Sequence, residues 1–138
     1  MIFNSKSEKD TIALGKKVAN SLGDFRIICL FGEMGSGKTT FAKAFVKSLG
    51  VKNRIISPTY IFVRTYHTDS KKIYHIDAYR LSGDDSLFEI KEILEDENAI
   101  IVIEWAEKIT TVLPKKRLEI SLKTLNENDR EISIKKFF

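Results

Sequence analysis

Gly32-Glu33-Met34-Gly35-Ser36-Gly37-Lys38-Thr39 has the spacing G-x-x-x-x-G-K-[ST], which suits one kind of chemistry, the grip on a polyphosphate. Glycines let the backbone curl so that its N–H groups converge on phosphate oxygens. Lys38 would reach the β- and γ-phosphates, and the Thr39 hydroxyl would ligate Mg2+. A nucleoside triphosphate is the expected ligand. Such a loop also needs a carboxylate for the metal, at the end of a neighbouring apolar strand. Two acids qualify. Glu104 directly follows Ile100-Ile101-Val102-Ile103, and Asp77 closes the alternating run Lys72-Ile73-Tyr74-His75-Ile76-Asp77. We expect Glu104 to hold the metal and Asp77 to orient or deprotonate the attacking water, although aspartate also ends hairpin strands for turn reasons alone.

These residues need a scaffold. Arg26-Ile27-Ile28-Cys29-Leu30-Phe31 before the loop is an apolar run of strand length, as in the buried centre of a parallel sheet. After the loop, apolar residues at 41, 45 and 49 followed by Gly50 predict a helix with a glycine stop. Upstream, Ser5 and Glu8 form a capping-box pattern opening a helix that runs to Leu22, with Gly23 closing it. Ile2-Phe3 suits a short edge strand. The segment from Val51 to Ile56 leads into Ser57-Pro58-Thr59, which is either a plain loop or a switch that senses the γ-phosphate. Tyr60 to Tyr66 and Lys72 to Asp77 predict an antiparallel hairpin. Asp84 or Asp85 would cap a helix through Leu94. Ala99 to Ile103 reads as a second buried parallel strand, a short helix is expected before Pro114, and Leu118 to Ile134 forms a closing hairpin around Asn126-Glu127-Asn128-Asp129. The expected fold is an α/β three-layer sandwich with a parallel sheet centre and antiparallel hairpins at its margins, over residues 1–138 as a single domain.

Composition narrows the class. The chain has 138 residues, 43% hydrophobic and 30% charged, with a net charge of +4, in the range of ordinary globular proteins. No apolar run is long enough for a membrane span, and no signal peptide is visible, so a cytoplasmic location and no membrane partner are expected. Cys29 has no partner for an internal disulfide; a small buried hydrophobe is the expectation, a redox-sensitive thiol the alternative. His67 and His75 lack further Cys or His residues at ligand spacing, which argues against zinc. Lys71-Lys72, Lys115-Lys116-Arg117 and Lys135-Lys136 are short basic clusters with no interleaved aromatics, as on a solvated surface. Trp105, the only tryptophan, suits a stack on a partner, a cover for the nucleotide, or core packing.

Taken together, GEMGSGKTTF, SPTY at 57–60, His75-Ile76-Asp77-Ala78-Tyr79-Arg80-Leu81 and Ile103-Glu104-Trp105-Ala106-Glu107 resemble the TsaE (YjeE) family. The spaced set H-x-D-x-Y-R-L plus I-E-W is the specific part, and the likeness runs from the first helix to the closing hairpin. Members of that family are small bacterial P-loop ATPases of tRNA threonylcarbamoyladenosine synthesis. The resemblance implies ATP and Mg2+ as cofactors, with Thr39 and Glu104 as metal ligands and Gly35, Ser36, Gly37, Lys38, Thr39 and Thr40 as the phosphate cradle. It implies that Asp77 is needed for hydrolysis, with Lys38 beside it. Ser57, Pro58, Thr59 and Trp105 would form switch segments, and Tyr79 and Arg80 would belong to the same switch or partner surface. Lys9, Thr11 and Arg130 would lie by the adenosine. The implied partners are the TsaB and TsaD proteins, in a complex that ATP hydrolysis resets between turnovers; direct contact with tRNA is left open. Glu33-Met34 stands where the family often has Asp-Leu, and Ala106 where it often has Pro. Both replacements keep charge or bulk.

Two other classes fit a phosphate-binding loop. A small-metabolite or nucleoside kinase would need an acceptor pocket and an arginine-bearing lid. The stretch between Asp77 and Ala99 offers one arginine, Arg80, already part of the family pattern. A binding module that holds ATP without cleaving it would be indifferent to loss of Asp77.

Overall fold

Strand β2 (Ile27–Phe31) lies at the middle of the sheet because both of its faces are apolar. Ile28 and Leu30 point into one core and Ile27 and Cys29 into another. A computed structural model describes residues 1–51, 53–55, 62–81 and 83–138, and only the backbone of 53–55 and 83–85. Eight strands form one sheet in the order β1-β8-β7-β2-β6-β5-β4-β3. The remaining strands are β1 (Ile2–Ser5), β3 (Asn53–Ile55), β4 (Val63–His67), β5 (Lys72–Asp77), β6 (Ala99–Glu104), β7 (Arg117–Thr124) and β8 (Arg130–Phe137). β7, β2, β6 and β5 run parallel, and the outer pairings are antiparallel. The expected parallel centre with antiparallel margins is present.

Helices α1 (Glu8–Ala19) and α2 (Lys38–Ser48) cover one face, and α3 (Gly83–Leu94) with two 3₁₀ turns (Ala106–Lys108, Thr110–Val112) covers the other. Three layers result. Phe41 and Phe45 of α2 are fully buried and stack 6.4 Å apart; burial of each phenyl is worth roughly 2–3 kcal/mol. At Gly15 of α1 a Cβ would come within 2.9 Å of the Phe41 carbonyl oxygen, so the two helices approach closely there.

Three expectations are refined. Ser7, not Ser5, caps α1: its hydroxyl accepts from the Asp10 N–H at 3.2 Å, and the Asp10 carboxylate accepts in return from the Lys6 N–H at 3.0 Å. Ser5 is held extended by pairing of β1 with β8 at Arg130, and its hydroxyl instead meets that of Thr11 at 2.8 Å. Asp84 and Asp85 lie inside α3 rather than capping it, because the helix already starts at Gly83. The closing hairpin is formed, yet its first strand also pairs in parallel with β2. On β7 only Leu118, Ile120 and Leu122 are buried, against the α1–α2 side, which gives the strand its alternation. The short strand β3 was not anticipated; it pairs with β4 at the sheet edge.

Candidate nucleotide and metal site

The glycine loop connects β2 to α2, and its conformation depends on glycine. Gly32 has φ +149°, and a Cβ there would sit 2.5 Å from the Leu122 carbonyl oxygen and 2.6 Å from the Ser36 hydroxyl. Gly37 caps α2 with φ +103° in the left-handed region and contributes no side chain. The first turn of α2 also contains no acid, whereas α1 has its serine cap and the acids Glu8 and Asp10. The N-terminal N–H groups of α2 and their positive field are therefore left for an outside anion.

Lys38 is buried and folded back on the loop. Its Nζ donates to the carbonyls of Gly32 (2.5 Å) and Glu33 (2.8 Å), and lies 3.9 Å from the centre of the Trp105 ring. Burial pulls the Lys38 ammonium below the ordinary lysine range, partly offset by the carboxylates of Glu107, Glu104, Asp77 and Glu33. Glu107 accepts from the Gly32 N–H at 3.3 Å. Sequence reading gave it no role; it follows Glu104 by one 3₁₀ turn, which swings it back to the loop.

Asp77 and Glu104 end adjacent parallel strands and sit opposite each other in register. The Thr39 hydroxyl donates to Glu104 Oε1 at 2.7 Å, and His75 Nε2 donates to Oε2 at 2.5 Å. Glu104 is only 6% exposed. Burial alone would raise its carboxyl, but hydrogen bonds from His75 and Thr39 and the charges of His75 and Lys38 outweigh it and hold the group ionised below its ordinary range. Asp77 accepts from the Tyr79 N–H at 3.1 Å, capping the 3₁₀ turn Ala78–Arg80, and pairs with Arg80 Nε at 3.2 Å. Hard oxygen donors therefore converge at the tip of β6. Among the described residues no cluster of three or more His, Cys, Asp or Glu forms a closed metal cage. That donor set fits Mg2+, which takes one or two protein oxygens and completes its shell with phosphate and water.

Trp105 is the one described non-glycine residue with positive φ (59°), a conformation costing roughly 1–2 kcal/mol. Its ring packs at 4.9 Å on that of Tyr79, which is 54% exposed. Trp105, Tyr79 and Arg80 thus form one surface beside the glycine loop. Ser57, Pro58 and Thr59 lie outside the described residues.

Among the described residues, two cavities border the loop glycines. One of about 280 Å3 is lined by Lys38, Thr39, Glu104 and Trp105. The other, about 270 Å3, lies between Ser7, Glu8 and Thr11 of the α1 start, the loop glycines, Thr40, and Asn128 and Arg130 of the β7–β8 hairpin. Arg130 also donates to the Gly35 carbonyl at 3.1 Å, tying the hairpin to the loop. Thr11 and Arg130 are thus brought together. Lys9 is exposed and does not line this cavity, because helical spacing puts Ser7, Glu8 and Thr11 on one face and Lys9 well off it.

Strand, glycine loop and helix, with an acid at the tip of the next parallel strand, define an α/β protein of the P-loop class. A family model described as "Threonylcarbamoyl adenosine biosynthesis protein TsaE" matches residues 5–132. Relatives described as tRNA threonylcarbamoyladenosine biosynthesis protein TsaE include that of Rickettsia felis, 38% identical over 97% of this chain and 78% of its own. That of Aquifex aeolicus is 37% identical over 94% and 91%, and that of Borreliella burgdorferi 42% over 86% and 87%. The crystal structure of Bacillus subtilis YdiB superposes with a TM-score of 0.74 at 28% identity, covering 100% of this chain and 86% of that one. The chain belongs to the TsaE family. No helix among the described residues is long and apolar enough to cross a membrane.

Proposed function

We propose that this protein binds ATP with Mg2+ and hydrolyses it to ADP and phosphate as the ATPase component of tRNA threonylcarbamoyladenosine synthesis, in the cytoplasm and together with TsaB and TsaD. The observation that carries this reading is the meeting of Thr39 and Glu104 at the mouth of the glycine loop. Family membership supports the pathway.

In this mechanism Lys38 leaves the Gly32 and Glu33 carbonyls and turns its ammonium to the β- and γ-phosphates. The N–H groups of Gly35 to Thr40 cradle the phosphates, and Thr39 and Glu104 hold the metal. Mg2+ supplies neutralisation of the charge that builds on the phosphates. Asp77, beside Glu104 in register, orients a water towards the γ-phosphorus and takes its proton as the bond to the ADP oxygen breaks. Thr11, Thr40 and Arg130 border the cavity for the adenosine. Trp105, Tyr79 and Arg80 carry the state of the phosphate site to the partner-facing surface, and hydrolysis resets the complex between turnovers.

Phosphate release from ATP, with and without Mg2+, tests the chemistry. Wild type should release phosphate only with Mg2+, and Glu104→Gln should lose that dependence together with the activity. Equal release by Glu104→Gln would refute the assignment.

A further inference from the structure

His75 lies at the site, and the reading above gives it no role. It lies on β5, is 6% exposed, and donates through Nε2 to Glu104 Oε2 at 2.5 Å. The other oxygen of the same carboxylate accepts from Thr39 at 2.7 Å. Each oxygen of Glu104 therefore has its own partner, on a different element of the fold. Glutamate carries one more rotatable bond than the aspartate usual at this place, so a free side chain would present its oxygens in several positions. Two hydrogen bonds on opposite oxygens fix both the plane and the reach of the carboxylate. The pleat supports this arrangement, because His75 and Asp77 share a strand face and β5 runs in parallel register with β6.

We infer that His75 is the positioning residue for the metal-holding acid: it occupies Glu104 Oε2 and keeps Oε1 aimed at Thr39 and the metal. The inference rests on the Mg2+–ATP reading above. In it, His75 acts through Glu104, the carboxylate it holds.

The test is calorimetric titration with ATP, once in Mg2+ and once in EDTA, with a thermal melt for each variant. Wild type should bind more tightly in Mg2+. His75→Leu, which keeps bulk and removes the donor, should lose about tenfold of that enhancement, with its EDTA affinity within about twofold of wild type. His75→Gln places an N–H near the position of Nε2 and should recover most of it. Should His75→Leu fail to fold, His75→Asn takes its place: it stays polar but ends short of Glu104, and should behave as the loss variant. A wild-type Mg2+ enhancement in His75→Leu or His75→Asn would overturn the inference alone. Equal weakening in Mg2+ and EDTA would also overturn it, since a general structural role predicts that. Absence of any Mg2+ enhancement in wild type would overturn the Mg2+ reading and the inference with it.

Discussion

The Lys38 ammonium lies 3.9 Å from the centre of the Trp105 ring while donating to two carbonyls of its own loop. A lysine held this way has to exchange those partners for phosphate oxygens when a nucleotide arrives, and the indole that covers it must feel the exchange. Trp105 is also the only tryptophan, so its fluorescence reports on this one contact. Titration with Mg2+–ATP should change the emission saturably, and Lys38→Ala should abolish the response. An unchanged emission under conditions where calorimetry shows ATP bound would refute the exchange.

Asp77 has two duties that substitution separates. Asparagine retains a side-chain oxygen to accept from the Tyr79 N–H but gives up the carboxylate. Asp77→Asn should therefore melt close to wild type and bind ATP within a few-fold, while turnover falls about 10²-fold or more, the usual contribution of a positioned base. Full turnover in Asp77→Asn would remove Asp77 from the chemistry.

The glycine loop predicts its own intolerance. Gly32→Ala would drive a Cβ to 2.5 Å from the Leu122 carbonyl, so the loop must shift away from β7, at a cost of roughly 1–3 kcal/mol. Gly50 also has positive φ (85°), but nothing lies within 4 Å of its Cβ position. Gly50→Ala should cost only the backbone strain, about 1 kcal/mol. Chemical denaturation of the two variants compares them directly, and a Gly50→Ala loss equal to that of Gly32→Ala would contradict the steric account.

Cys29 is wholly buried in β2, and desolvation pushes its thiol up from 9.0 to about 12. The folded state thus retains a proton that the unfolded chain releases. Stability from this residue is full below pH 9.0 and declines as pH rises between 9.0 and about 12. At pH 8 the native thiol should resist disulfide reagents and react only upon unfolding. Fast labelling of native protein would contradict the burial and revive the redox reading.

Local chemistry was legible in the sequence and cross-strand chemistry was not. The glycine loop, its flanking strand and helix, and Glu104 at the end of an apolar run each announce themselves within a short window. The second hydrogen bond to Glu104 comes from a residue 29 positions away, and only parallel pairing of β5 with β6 brings the two together. The alternation in H-x-D put His75 on the face of Asp77, but nothing local identified the strand beside it. Ser5 fits a capping box as well as Ser7 does; the choice was made by pairing of β1 with β8, a contact with the far end of the chain. Glu107 carries no role legible in the sequence because its partner is a backbone N–H of the loop, which leaves no sequence signal. The family resemblance alone brings Lys9 to the adenosine, and the helical phase of α1 turns it away from the cavity that Thr11 borders.

The most direct test of the central claim is steady-state phosphate release from Mg2+–ATP by wild type and Asp77→Asn, each alone and with TsaB and TsaD from the same organism. The account predicts Mg2+-dependent release by wild type that the partner pair stimulates, and none above background for Asp77→Asn under either condition. ATP binding without phosphate release by wild type in the presence of the partners would contradict it.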